Sequence, residues 1–262
     1  MSVHNRNEHT RPNIGESVFT RIKHVLPERV KKPIRSLRTY MRVTGQIPRD
    51  AIGAMRNRNM VFLWIPKTAG TSLYTALDSH ICTKILDLSS AKRRFRNKGL
   101  VTFGHMDYRE LVRSGLVEPQ FDDSAFKFCF SRNPYSRAVS LYFFSLKRHW
   151  ITDDLSFLGF CRLIDKGVQD IGLFNVRELS QCNPQVRWLR GVSPDFIGRL
   201  ENFDSDVHRL FDLLGLDAPS VSTAKNRTAH SPYREYYCTE SSEIVSRVYA
   251  EDFERFGYSV TL

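Results

Sequence analysis

The reading of the fold turns on residues 61–72, Val61-Phe62-Leu63-Trp64-Ile65-Pro66-Lys67-Thr68-Ala69-Gly70-Thr71-Ser72. The first five form a short unbroken apolar run, the pattern of a strand buried on both faces of a parallel sheet. Pro66 to Gly70 end that strand. From Thr71 the apolar residues Leu73, Ala76 and Leu77 fall at helical spacing, so a strand, a tight turn and a helix are expected in that order. Such a turn is an anion cradle. Unpaired backbone N–H groups at a helix N-terminus point outward, and the helix dipole favours negative charge there. Gly70 would let the backbone come close to a ligand. Thr71 and Ser72 would add hydroxyl donors, and Lys67 would supply a point charge. The stretch is not a Walker A loop, which needs glycines ahead of its lysine; no glycine lies between Asn57 and Lys67.

Further along, Lys84 to Leu88, Leu100 to Phe103, Phe126 to Phe130 and Phe196 to Leu200 read as strands. Asn133 is placed to cap a helix that begins with Pro134 and runs to about Trp150. Residues 153–165 and 175–190 read as helical or irregular. Asp204 to Leu214 reads as a helix closed by Gly215, and Thr239 as the cap of one helix carrying Ile244, Val248 and Phe253 and closed by Gly257. Strands alternating with helices predict an α/β fold around a mostly parallel sheet. The basic run Lys92, Arg93, Arg94, Arg96 and Lys98 reads as a solvated loop or helix face.

The chain has 262 residues, 41% hydrophobic and 26% charged, ordinary for a globular protein with a sizeable core. The net charge of +11 is not ordinary and suggests an anionic partner. Residues 1–60 carry 13 Lys and Arg against 4 Asp and Glu, so nearly all of the excess is N-terminal. Two units are expected: a basic, partly helical extension over 1–58 and a catalytic-looking domain over 59–262. In the extension Val18, Ile22, Val25 and Leu26, then Ile34, Leu37 and Met41, recur at helical spacing. Their narrow apolar faces, bounded by prolines, favour packing on protein; peripheral contact of residues 17–58 with an anionic membrane is the alternative. Five widely spaced cysteines with no C-x-x-C suit neither a disulfide framework nor a zinc ribbon. Without an apolar run of 18 residues or a signal-peptide core, the expected address is the cytoplasm.

A second anion motif spans Ser131-Arg132-Asn133-Pro134-Tyr135-Ser136-Arg137 and continues to Ser140. It also lies between a strand and a helix, and Arg132 sits at the strand end, where a parallel sheet presents its ligands. A guanidinium before the helix and a hydroxyl two turns into it suit one phosphate. Alone, Arg132 reads as a surface ion-pair partner. With the first cradle on the same edge, the pair suggests a ligand with two separated anionic groups. His105, after the strand ending Phe103-Gly104, falls at the same edge, and by spacing alone is equally a turn histidine.

With both motifs in view, the chain resembles the sulfotransferases that use 3′-phosphoadenosine 5′-phosphosulfate (PAPS), in the heparan- and chondroitin-type carbohydrate branch. FLWIPKTAGTSL (62–73) is similar to that family's 5′-phosphosulfate loop and FCFSRNPYSRAVSLY (128–142) to its 3′-phosphate motif. IGRLENFDSDVHRLFDLLG (197–215) and SPYREYYCTESSEIVSRVYAEDFERFGY (231–258) resemble the branch's C-terminal half. The resemblance covers about 60–258. It implies a P-loop-like three-layer fold, a central parallel sheet flanked by helices. It implies that Lys67 touches the 5′-phosphate and the oxygen bridging to sulfur, that Thr68, Ala69, Gly70, Thr71 and Ser72 cradle the 5′-phosphate, and that Arg132 and Ser140 hold the 3′-phosphate. A Gly-His at the matching place in relatives makes His105 the implied base. Some relatives carry another His two residues earlier, where this chain has Phe103. The loop Asn226-Arg227-Thr228 falls where the family often closes over its cofactor. His149, His230, Asp107 and Glu110 are weaker candidates for proton transfer or for orienting the base.

The resemblance further implies a carbohydrate or glycolipid hydroxyl as acceptor, with acceptor choice carried by residues 106–124 and 150–195. Lacking the membrane anchor of secretory members, the chain fits a cytoplasmic, bacterial-type enzyme. No metal-ligand cluster stands out, and no metal is expected. A P-loop nucleotide or sugar kinase and a non-catalytic binder of anionic glycan or lipid are the competing readings. Nucleic acid is not an expected partner, because Phe19 and Tyr40 are the only aromatics among the basic residues of 1–60.

Overall fold

The computed structural model describes residues 58–77, 82–167, 179–216 and 231–262. The expected N-terminal helices, the 226–228 loop, His230 and residues 168–178 of the expected acceptor region lie outside them.

Five strands form one sheet: β1 (Met60–Leu63), β2 (Thr83–Lys84), β3 (Leu100–Thr102), β4 (Phe126–Ser131) and β5 (Phe196–Arg199). Their order is β2-β3-β1-β4-β5, and every pairing is parallel, with Val61 opposite Val101 and Lys127, and Phe128 opposite Phe196. Each crossover between parallel strands needs a return segment. The described helices are α1 (Gly70–Ala76), α2 (Leu88–Arg94), α3 (Tyr108–Arg113), α4 (Pro119–Ser124), α5 (Pro134–Lys147), α6 (Phe157–Asp165), α7 (Phe203–Leu214), α8 (Thr239–Val248) and α9 (Ala250–Phe256). This is the expected α/β architecture, a central parallel sheet flanked by helices.

The apolar run of β1 is buried on both sides because its side chains alternate. Met60, Phe62 and Trp64 join Phe128 and Phe130 in one core, with Leu73 of α1 and Phe203, Val207, Leu210 and Phe211 of α7. Val61, Leu63 and Ile65 join Val101, Phe103 and Cys129 in the other, with Leu111 of α3, Phe121 of α4, and Trp188. A third core ties α5 and α6 to α8 and α9 through Tyr135, Phe160, Val245 and Phe253.

Three expectations need correction. The second strand is only Thr83–Lys84, because Asp87 accepts a bond from the Ser90 amide at 2.7 Å and starts α2. Helix α5 stops at Lys147, before Trp150, and His149 then turns left-handed at φ 54°. The C-terminal helix is two helices. Cys238 rather than Thr239 is its cap, and the chain breaks at Tyr249. That break lets the buried Tyr249 hydroxyl donate to the Cys182 carbonyl at 2.8 Å and turns Asp252 inward.

Candidate active site

In a parallel sheet all strands end on one edge, and ligands bind in the crevice outside those ends. Here β1, β3 and β4 are adjacent, and they lead into Lys67, His105 and Arg132 respectively. Two sequence motifs and a histidine separated by up to 65 residues therefore meet at one place.

Between β1 and α1 the chain takes two left-handed turns, at Lys67 (φ 67°) and Ala69 (φ 62°). For residues with a Cβ, each costs roughly 1–2 kcal/mol. The buried Thr68 hydroxyl donates to the Ile65 carbonyl at 2.9 Å and closes the turn on itself. Ala69 is the N-cap of α1, Ser72 is buried, and Thr71 is exposed. The structure gives Gly70 a packing reason as well. A Cβ there would lie 1.7 Å from Nε1 of Trp64, so the indole requires glycine at this position. Trp64 is in turn stacked between Phe62 at 5.5 Å and Tyr74 at 5.8 Å.

Arg132 reaches across to the first motif. Its Nη1 donates to the Lys67 carbonyl at 3.3 Å and its Nε to the Ser136 hydroxyl at 3.0 Å. The backbone of Arg132 is held by Gln185, whose Oε1 accepts from the Arg132 N–H at 2.9 Å while its Nε2 donates to the Arg132 carbonyl at 2.9 Å. Gln185 is fixed by Asp252, which accepts its main-chain N–H at 2.8 Å and its Nε2 at 3.2 Å. Asn133 caps α5 by accepting from the amides of Tyr135 and Ser136, and Glu201 accepts the Asn133 N–H at 2.7 Å. Ser140 is buried on the same helix, one turn beyond Ser136.

The site is strongly positive. Burial, then Arg132, Lys147, Arg137 and Arg148, push Lys67 down to about 8. Burial brings Arg132 down to about 10, against the opposing pull of Glu201. Clustered, desolvated cations favour an anionic ligand that would neutralise them. Arg137 is fully buried, with Nε on the Pro66 carbonyl at 3.1 Å and Nη2 on the Gln181 carbonyl at 2.8 Å; its Nη1 is buried without a hydrogen-bond partner.

His105 is pinned from two sides. Its Nδ1 lies 2.7 Å from the Trp64 carbonyl, and its own carbonyl accepts from Trp188 Nε1 at 3.0 Å. A carbonyl only accepts, so Nδ1 carries the proton and Nε2 the lone pair. Burial, reinforced by Lys84, Arg137 and Lys67, pushes His105 down to about 4, although the bond to Trp64 opposes this. The imidazole is therefore neutral near pH 7, the form a base requires. Asp107 and Glu110 do not share this site chemistry. Asp107 caps α3 through the Glu110 amide at 3.2 Å, and Glu110 pairs with Arg113 at 3.8 Å. His149 is exposed beyond the end of α5.

Sequence reasoning missed Trp64, Gln185, Asp252 and Arg137 as parts of the site. Arg137 alone left a signal, as a second arginine inside the 131–140 motif. Among the described residues, no group of three or more His, Cys, Asp or Glu could hold a metal ion, and no helix is long and apolar enough to cross a membrane.

Comparison with known proteins places the fold and the family. The fold is similar to that in the crystal structure of mouse sulfotransferase SULT7A1 complexed with PAP, with a TM-score of 0.51 at 13% identity over 80% of this chain and 91% of that one. An uncharacterized protein of Archaeoglobus fulgidus is 28% identical over 124 residues, which is 47% of this chain and 94% of the relative. The model of the family described as "Sulfotransferase family" matches residues 52–259, and so includes both anion motifs and His105. With most of its length matched, the chain belongs to the sulfotransferase family.

Proposed function

We propose that this protein moves a sulfuryl group from PAPS to a hydroxyl of a carbohydrate or glycolipid acceptor. The observation that carries the reading is the contact of Arg132 with the Lys67 carbonyl at 3.3 Å, which makes one site of two cationic motifs. The residues present fit a ligand with two anionic ends. Lys67 is desolvated among cations, and Arg132 and Ser140 stand on a second element of the same sheet edge. PAPS, when bound, supplies a sulfuryl group on a phosphate leaving group. Arg132 and Ser140 would hold the 3′-phosphate, and the 67–72 turn the 5′-phosphate. The Lys67 ammonium would stabilise charge growing on the departing oxygen. Nε2 of His105 would take the proton of the attacking hydroxyl while Nδ1–H stays on the Trp64 carbonyl. An anion bound among Lys67 and Arg137 would offset the cations that depress His105, so cofactor binding would make it a stronger base.

The test is an acceptor screen with sulfate-labelled PAPS, followed by locating the sulfate on the product. Transfer to a glycan or glycolipid hydroxyl is expected; calorimetry showing binding of ATP–Mg but not of adenosine 3′,5′-bisphosphate would replace the reading with a kinase. Residues 1–60 carry a balance of +9, and its proposed role is to hold an anionic acceptor or membrane surface. Deleting residues 1–55 should raise the acceptor KM and leave cofactor affinity unchanged.

A further inference from the structure

One aromatic ring lies directly beside Lys67. The Lys67 ammonium sits 4.1 Å from the centre of the Phe144 ring. The Arg148 guanidinium shares that ring at 5.3 Å, and Trp150 meets its edge at 5.3 Å. Phe144 lies four residues beyond Ser140, which lies four beyond Ser136, the residue that receives the Arg132 Nε–H. Spacing by four keeps Ser136, Ser140 and Phe144 on one face of α5. That face therefore runs from Arg132 at the start of the helix to the Lys67 ammonium near its end.

A carboxylate in place of the ring would also fix the ammonium, but it would neutralise it. The negative face of an aromatic ring attracts a cation and leaves its charge intact. Stabilising charge as it develops on a leaving group calls for a positive group that is already in position and not already paired. The ring also counteracts burial and the neighbouring cations, which favour the neutral amine.

We propose that Phe144 is a positioning residue for the transfer step, its ring face holding the Lys67 ammonium charged and in place at the sulfuryl end of the site. This rests on the sulfuryl-transfer reading.

The first test needs no acceptor. 3,4,5-Trifluorophenylalanine at position 144 keeps the size of the ring and strips its negative face. Lys67 titration, followed by pH-dependent acetylation and mass spectrometry, is expected to fall by about half to one pH unit. An unchanged titration overturns the proposal. The second test uses PAPS with an acceptor found in the screen. Phe144→Leu is expected to lower kcat roughly fivefold to thirtyfold while affinity for adenosine 3′,5′-bisphosphate stays within about twofold, and Phe144→Tyr to retain most of the rate. A Phe144→Leu enzyme with full kcat, or one that loses rate and bisphosphate affinity together with no rescue by Phe144→Tyr, also overturns it. If the wild-type protein binds no bisphosphate, the sulfuryl-transfer reading falls, and the titration alone decides whether the ring holds the ammonium.

Discussion

Arg132 donates through Nη1 to the main-chain carbonyl of Lys67, 65 residues earlier in the chain, at 3.3 Å. The residue read as the 3′-phosphate ligand thus also braces the turn that carries Lys67. Losing its side chain should disturb both ends of the cofactor. Arg132→Ala is expected to weaken adenosine 3′,5′-bisphosphate binding about tenfold to a hundredfold, the worth of a charge-assisted hydrogen bond. Titration calorimetry reads it directly, and unchanged affinity would undo the assignment.

Lys67 and His105 should separate from Arg132 by acting on rate. Lys67→Ala is expected to reduce kcat about a hundredfold or more. His105→Ala should cost about a hundredfold to ten-thousandfold. Either variant with near wild-type kcat on its true acceptor would remove that residue from the mechanism.

The pH dependence follows from the same two groups. In the proposed mechanism His105 acts neutral and Lys67 protonated. In the free enzyme, kcat/KM should rise as pH climbs through about 4 and fall as it passes about 8. A bound anionic cofactor raises both pKa values, so both limbs of kcat should lie above those of kcat/KM. Stability carries a related signature. His105 is depressed in the folded state from its ordinary 6.5 to about 4, so between these values the unfolded chain binds the extra proton. Stability from this group is present above about 6.5 and is lost as pH falls toward 4, by about 3 kcal/mol in all. Urea titrations of wild type and His105→Gln across pH 4–7 should differ by that slope.

Gly70 and Trp64 should behave as a pair. Gly70→Ala places a methyl 1.7 Å from the Trp64 indole nitrogen, so it is expected to displace the indole and disorder the 66–72 turn. Bisphosphate affinity should collapse. Adding Trp64→Leu, which clears the space, should recover part of the binding. A Gly70→Ala protein with wild-type affinity would show that the indole can move freely.

Arg137 is a stability prediction. Removing a buried cation that joins the Pro66 and Gln181 carbonyls strands both acceptors and leaves the buried Asp252 without its nearby compensating charge. Arg137→Met is expected to cost about 3–5 kcal/mol, read by urea unfolding. Arg137→Lys should recover only part, since one ammonium lacks the guanidinium's fork.

The architecture and the positions of the two anion motifs are legible in the sequence. Residues 61–72 announce a buried strand, a tight turn and a helix because apolar runs, turn residues and helical periodicity are all local signals. The 131–140 motif is local in the same way, and both keep their places in the structure. Local signals fail where an element is set by distant partners. The C-terminal helix breaks at Tyr249, whose hydroxyl donates to the Cys182 carbonyl, 67 residues away. What holds the cationic groups emerges on folding: Gln185 on the backbone of Arg132, Trp64 over Gly70 and against Nδ1 of His105, and Phe144 beneath Lys67. Gln185 and Phe144 lie outside both motifs, and Trp64 reads only as a strand residue. Their roles come from burial and from contacts that span tens of residues, which exist only once the parallel strands have brought their carboxyl ends to one edge.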